Sequence, residues 1–204
     1  MRKMILQMQM SVDGYLGRKG EGPEWQVWDW GKDCTWDEKL IQSFNRFFEE
    51  VACILLGRNI IEGGYLDHWT EMAKLYPAQP EFAFAQKVLD ARKIVFSSTL
   101  TESKWPRTEI AKLPLADEVS RLKAEAGKNI VAFGGIGLAS SLIESNVVDE
   151  LQFYVNPVAL GDGLTIFKEP NVDTKLKLVG AQQYDCGIVV NRYEPIKGDV
   201  SRKR

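Results

Sequence analysis

Five places in this sequence carry residue types that could bind or transform a small molecule. The first is Val131-Ala132-Phe133-Gly134-Gly135-Ile136-Gly137-Leu138-Ala139-Ser140-Ser141, where an apolar run stops at two glycines and a helical pattern follows at once. A helix N-terminus presents unpaired N–H groups and partial positive charge, which suits a pyrophosphate. The second is Gly57-Arg58, a glycine and a cation after another apolar run. Arginine offers a planar fork of donors for phosphate oxygens. The third is Ser97-Ser98-Thr99, three hydroxyls that could bond a phosphate or ribose, or simply cap the next turn. The fourth is Asp13, in Ser11-Val12-Asp13-Gly14, a candidate proton donor whose alternative role is that of a turn residue. The fifth is Asp37, at the expected start of a helix.

Taken singly these sites are weak. Gly135-Ile136-Gly137-Leu138-Ala139-Ser140 is GxGxxS, short of the full dinucleotide fingerprint, and it sits late in the chain. A tight strand-to-helix corner accounts for it equally well. Together they gain weight, because three polar, phosphate-compatible strand ends could hold one elongated ligand.

The elements around these residues alternate between strand and helix. Residues 4 to 10 read as a strand, and 18 to 34, rich in Gly, Trp and charge, as a long loop. Trp25, Trp28, Trp30 and Trp36 cluster there and could wall a flat pocket or form a small core of their own. Thr35-x-x-Glu38 has the form of a capping box for a helix over residues 36 to 50. Residues 51 to 57, 92 to 98 and 129 to 135 are apolar runs of the kind that form strands buried on both faces. Helices are expected at 82 to 90, 115 to 126 and 136 to 146. A long strand from Leu151 to Phe167, broken by Pro157 and two glycines, precedes a C-terminal antiparallel hairpin turning at Asp185-Cys186-Gly187. The pattern predicts an α/β fold with a mixed, mostly parallel sheet flanked by helices. Residues 1 to 197 are expected to form one domain and residues 198 to 204 a basic, frayed tail.

Composition excludes several classes. The net charge of −2 leaves no footprint for nucleic acid, and no apolar run approaches a membrane span. Three cysteines, none in a CxxC spacing, argue against zinc and against a disulfide framework, and point to the cytoplasm. The single histidine, His68, rules out a metal site built on several histidines. It lies in a loop-like stretch, which makes a Ser-His-Asp triad improbable.

The order "QMSVDGYLG", "ILLGRNIIE", "KIVFSSTL", "KNIVAFGGIGLASSLI", "VDELQFYVNPVALGDGLTIF" resembles the dihydrofolate reductase-like superfamily. It resembles most closely the reductase domain of the riboflavin-biosynthesis deaminase–reductase, the RibD C-terminal domain, in a stand-alone bacterial form. The resemblance covers nearly the whole chain. It implies NADPH-dependent hydride transfer, with NADH possible, to a small pterin- or pyrimidine-like heteroaromatic substrate, as in dihydrofolate reductase and 5-amino-6-(5-phosphoribosylamino)uracil reductase. It also implies an eight- or nine-stranded mixed sheet and a homodimer. Carried over by position, Gly134, Gly135, Ile136, Gly137, Leu138, Ala139 and Ser140 line the pyrophosphate. Gly57 and Arg58 approach the cofactor phosphates, and Ser97 and Ser98 hold the adenosine ribose and its 2′-phosphate. Asp13 stands near the nicotinamide, and Asp37 is the nearest match to a catalytic acid on the first helix.

Departures from the family pattern are informative. Ile60 stands where Thr is common and Ser98 where Arg is frequent. Phe133 and Gly134 occupy the place of a substrate-binding Glu, which argues against phosphoribosylaminouracil as the substrate. The HxE and CxxC motifs of the zinc deaminase half do not occur in this sequence. Two other readings stay open: a nucleotide- or folate-binding module without turnover, which the Ile60 and Ser98 departures favour, and a Rossmann-type dehydrogenase. The latter requires a glycine-rich loop after the first strand, and "SVDGYLG" lacks that spacing.

Overall fold

The structure is a computed structural model that describes residues 2–18, 35–133, 135–167 and 174–196. Most of the expected loop at 18 to 34, with Trp25, Trp28 and Trp30, lies outside the described residues. So do Gly134 and the basic tail.

The expected apolar runs become the middle of one sheet. Its strands are β1 (Met4–Ser11), β2 (Val51–Gly57), β3 (Arg92–Phe96), β4 (Thr108–Ile110), β5 (Asn129–Phe133), β6 (Glu150–Asn156), β7 (Leu176–Gln183) and β8 (Val189–Pro195). They run in the order β4-β3-β2-β5-β1-β6-β8-β7. All pairs from β4 to β6 are parallel, and β8 and β7 add an antiparallel edge. The helices are α1 (Glu38–Glu49), α2 (Arg58–Glu62), α3 (Tyr65–Leu75), α4 (Ala83–Asp90), α5 (Leu115–Ala124) and α6 (Ile136–Glu144). Among the described residues no helix is long and apolar enough to cross a membrane.

Two apolar cores cover the two faces. Leu40 and Phe44 of α1, Leu66 and Trp69 of α3 and Phe84 and Val88 of α4 pack on Ile54, Leu56, Val131 and Tyr154. On the other face Val119 and Leu122 of α5 and Leu138, Ala139 and Leu142 of α6 pack on Leu55, Ile130, Ala132 and Leu151. Strand alternation explains the division within β1: Met4, Leu6, Met8 and Met10 face α5 and α6. The intervening Gln7, Gln9 and Ser11 lie opposite Gln152, Tyr154 and Asn156 of β6 on the α1 face.

Four expectations change. Thr35 does not cap α1; Asp37 does, its carboxylate accepting from Leu40 N at 2.9 Å. The stretch around His68 is helical, and His68 is an exposed residue of α3 with its ring edge-on to Trp69 at 4.6 Å. Strand β6 stops at Asn156, and residues 157 to 167 run as a loop instead of resuming a strand, because Pro157 has no N–H to give a ladder. Strand β4 was not foreseen.

Candidate active site at the strand ends

Sheet order and connection side fix where a ligand fits. Strand β1 is followed by α1 on one face, and β5 by α6 on the other. The chain leaves these two neighbours in opposite directions, so a crevice opens between their carboxyl ends. Register widens it. Pairing of β1 with β5 ends at Gln7–Phe133, whereas pairing with β6 continues to Ser11–Asn156. From Met8 to Ser11, β1 therefore runs on beyond its β5 partner.

The glycine corner forms the far wall. Gly135 is the N-cap of α6 at φ +75°, and among the described residues no side chain caps this helix. A Cβ at Gly135 would stand 3.3 Å from Ile60 Cγ1. The N–H groups of Ile136, Gly137 and Leu138 belong to the first turn and have no intrahelical partner, while Ala139 N already donates to Gly135 O. Gly137 is exposed, and the space a Cβ would take there is open. The side chains of Leu138 and Ala139 turn into the core, and the buried Ser140 hydroxyl donates to Ile166 O at 2.9 Å. Of the run carried over to a pyrophosphate, only its first turn thus faces outward.

The other two strand ends lie alongside, because β5, β2 and β3 are consecutive in the sheet. The end of β2 abuts the start of α6, where a Cβ on Gly57 would sit 3.8 Å from Leu138 Cβ. Arg58 is nearly half exposed; its Nη1 donates to Thr99 Oγ1 at 3.2 Å and its Nε lies 3.7 Å from Glu62. Ser97 Oγ accepts from Thr99 N and Leu100 N, so it shapes the turn after β3. Ser98 is exposed. Thr99, the third hydroxyl of that run, is what joins the second and third strand ends.

Both carboxylates are committed to backbone N–H groups. Asp13 accepts from Ser11 Oγ at 2.6 Å, from Gly161 N at 2.7 Å and from Leu160 N. The Ser11 hydroxyl, then the Gly161 amide, hold its carboxyl well below the usual range, at about 2. Burial works against ionisation of Asp37, but Leu40 N and Cys186 N outweigh it and lower its carboxyl too. These bonds favour the ionised form of both acids, the two candidates for proton donation. Asp13 instead ties the turn after β1 to the loop at 157 to 167. That loop also bonds the turn through Val12 N to Val158 O and Leu164 N to Gly17 O. Gly163 is needed there, since a Cβ would come within 2.5 Å of Gly17 O.

The core on the α1 face carries aromatic rings. Trp36 is buried and stacks on Tyr154 at 6.0 Å with 16° between planes. Phe133 is half-buried against Phe48 and Tyr65. No cluster of metal-binding side chains occurs among the described residues.

Comparison with known proteins gives this arrangement a family. The model for the RibD C-terminal domain matches residues 2–190. The chain belongs to the RibD C-terminal domain family. It is 27% identical over 198 residues to the uncharacterized protein YyaP of Bacillus subtilis (strain 168), covering 92% of each chain. It shares its fold with a pyrimidine reductase-like protein from Corynebacterium diphtheriae, at a TM-score of 0.60 and 15% identity over 97% of this chain and 93% of that one. A diaminohydroxyphosphoribosylaminopyrimidine deaminase/5-amino-6-(5-phosphoribosylamino)uracil reductase from Thermotoga maritima also matches. There the TM-score is 0.62 and the identity 17%, over 96% of this chain and 57% of the longer protein. The sheet is thus the mixed, dihydrofolate reductase-like one of RibD proteins, and the family relationship suggests a reductase.

Proposed function

We propose that this RibD C-terminal domain protein is an NAD(P)H-dependent reductase of a small pterin- or pyrimidine-like heteroaromatic substrate. The observation that carries the proposal is the contiguity of the ends of β5, β2 and β3 beside the β1–β5 crevice.

The residues present fit a dinucleotide. The first-turn N–H groups of Ile136, Gly137 and Leu138, with open space above Gly137, offer a cradle for a pyrophosphate. Gly135, with Gly134 beside it, permits the corner, and Ala139 and Ser140 anchor it from behind. Arg58, steadied by Thr99, supplies the cation for a phosphate, and Gly57 lets β2 come close to α6. Ser97 and Ser98 adjoin the place for an adenosine ribose. Without an Arg at 98, NADPH over NADH is an expectation from family resemblance. A reduced nicotinamide supplies hydride when bound. The residues of the chain position and desolvate: Phe133 and the Trp36–Tyr154 stack give a flat apolar flank, and Asp13 fixes the rim loop. With Asp13 and Asp37 held as anions, solvent delivers the proton.

Calorimetric titration of NADPH and NADH tests this. Saturable binding of either, followed by oxidation of the cofactor with a pteridine or pyrimidine acceptor, is expected. Binding of neither ends the proposal, and binding without turnover favours the non-catalytic module that Ile60 and Ser98 first suggested.

We further propose a homodimer. The edge strand β7 exposes Leu178 and Val179, and Ile196 lies exposed beside it. Light scattering decides it.

A further inference from the structure

Buried polar side chains on the α1 face of β1 and β6 form a chain of bonds whose direction is forced. Asn156 is fully buried, and its Nδ2 lies 3.2 Å from Met10 O and 3.0 Å from Tyr154 O. Both partners are backbone carbonyls, which only accept. The amide of Asn156 must therefore present its nitrogen to them. The same Nδ2 reaches the Gln9 side chain at 2.9 Å. A donor there requires an acceptor, so Gln9 must turn Oε1 toward Asn156. Amide orientation usually has to be inferred from such a network, and here the network allows one answer. Gln9 is left with its NH2 group directed away from Asn156. Gln9 is half-buried, and among the described residues no acceptor meets that nitrogen.

Position gives this donor a use. Gln9 lies in the stretch of β1 that runs past β5, on the α1 side of the crevice. Its register partner is Tyr154, on which Trp36 stacks. The donor thus belongs to the same face of the sheet as these rings. The carboxylates that follow β1 and precede α1, Asp13 and Asp37, both accept from backbone N–H groups, so neither is free to receive an amino group.

We infer that Gln9, fixed by Asn156, reads a ring carbonyl of the heteroaromatic substrate. The inference rests on the reductase reading above for the kind of ligand, and assigns the residue that selects it. Asn156 acts as a positioning residue, since it reaches the ligand only through Gln9.

The test compares two probes of one shape, pteridine-2,4-dione and 2,4-diaminopteridine, by calorimetry with and without NADPH. The wild-type protein is expected to favour the dione by about tenfold, one direct hydrogen bond against an unpaired one. Gln9→Glu keeps the acceptor for Asn156 and replaces the outward donor with an acceptor, so the preference should reverse. Gln9→Leu should bring the ratio near one. Asn156→Ala frees the Gln9 amide to turn over and should also lower the ratio, rather than weaken both probes equally. If that variant fails to fold, the two Gln9 variants still decide. An unchanged ratio in Gln9→Glu overturns the assignment, as does binding of neither pteridine to the wild type. Failure of NADPH to bind overturns the reductase reading alone, since the pteridine ratio is read separately.

Discussion

Arg58 and Thr99, 41 residues apart in sequence, meet at 3.2 Å across the ends of β2 and β3. The contact turns two separate polar strand ends into one surface beside the start of α6. It also limits the freedom of the Arg58 guanidinium, so less entropy is lost when an anion is bound.

Arg58→Ala should weaken NADPH binding by about tenfold to a hundredfold, the usual loss for a charged hydrogen bond. Its side chain is nearly half exposed, so the melting temperature should hardly move. Thr99→Val should cost less, by loosening Arg58 without removing it. Calorimetric titration read beside a thermal melt separates the two effects.

Gly135 and Gly137 should respond in opposite ways to the same change. Gly135→Ala places a Cβ on a φ of +75° and 3.3 Å from Ile60 Cγ1. The left-handed backbone alone costs about 1–2 kcal/mol, which lowers the melting temperature by about 2–8 °C in a domain of this size. Gly137→Ala meets open space and gains up to about 1 kcal/mol of helix propensity. It should nevertheless reduce cofactor affinity, because its methyl stands over the first-turn N–H groups.

Asp13 should govern acid stability and not the pH dependence of turnover. Its folded carboxyl is held at about 2, below its unfolded value. The unfolded chain therefore binds the proton first, and the contribution of Asp13 is complete above about pH 4 and lost as pH falls toward 2. Asp13→Asn should flatten the difference in stability across that window. The rate profile between pH 6 and 8 should keep its shape, measured by cofactor oxidation. A lost basic or acidic limb would restore Asp13 as a proton donor.

Lys93 should show a slope of the same sign at high pH. Burial, then repulsion from Arg107, push its ammonium down to about 8, and Nζ donates to Leu89 O at the end of α4. The unfolded chain holds this proton to about pH 10.5, so the Lys93 contribution to stability rises with pH between about 8 and 10.5. Cys53, whose thiol burial raises to about 11, works in the opposite sense. The difference between wild type and Lys93→Met in urea melts across that range isolates the lysine.

The central strands were legible because a parallel strand covered on both faces reads as a near-continuous apolar run. Val51–Gly57 shows this over its whole length, and β3 and β5 over most of theirs, at residues 94 to 96 and 130 to 133. Helix α3 was not legible, since only Leu66 and Trp69 of it are buried and two glycines precede it. Strand β4 has three residues at a sheet edge, too few to carry a period. Of the site, the strand-end residues could be named from their types, and the family from their order along the chain.

The sequence by itself determined the alternation of elements, the glycine corner, the cation after β2 and the family. Each of these is local, set by backbone sterics or by the periodicity of apolar residues. Only the tertiary structure decided how the polar groups are used. Asp13 and Asp37 are candidate acids in the sequence, and the fold sets them against distant amides, Gly161 N and Cys186 N, which favour their ionised form. Gln9 was one polar letter in a strand until Asn156, 147 residues away, fixed which end of its amide turns toward it. A hydrogen bond depends on direction as well as on residue type, and direction exists only once the chain has brought both partners together.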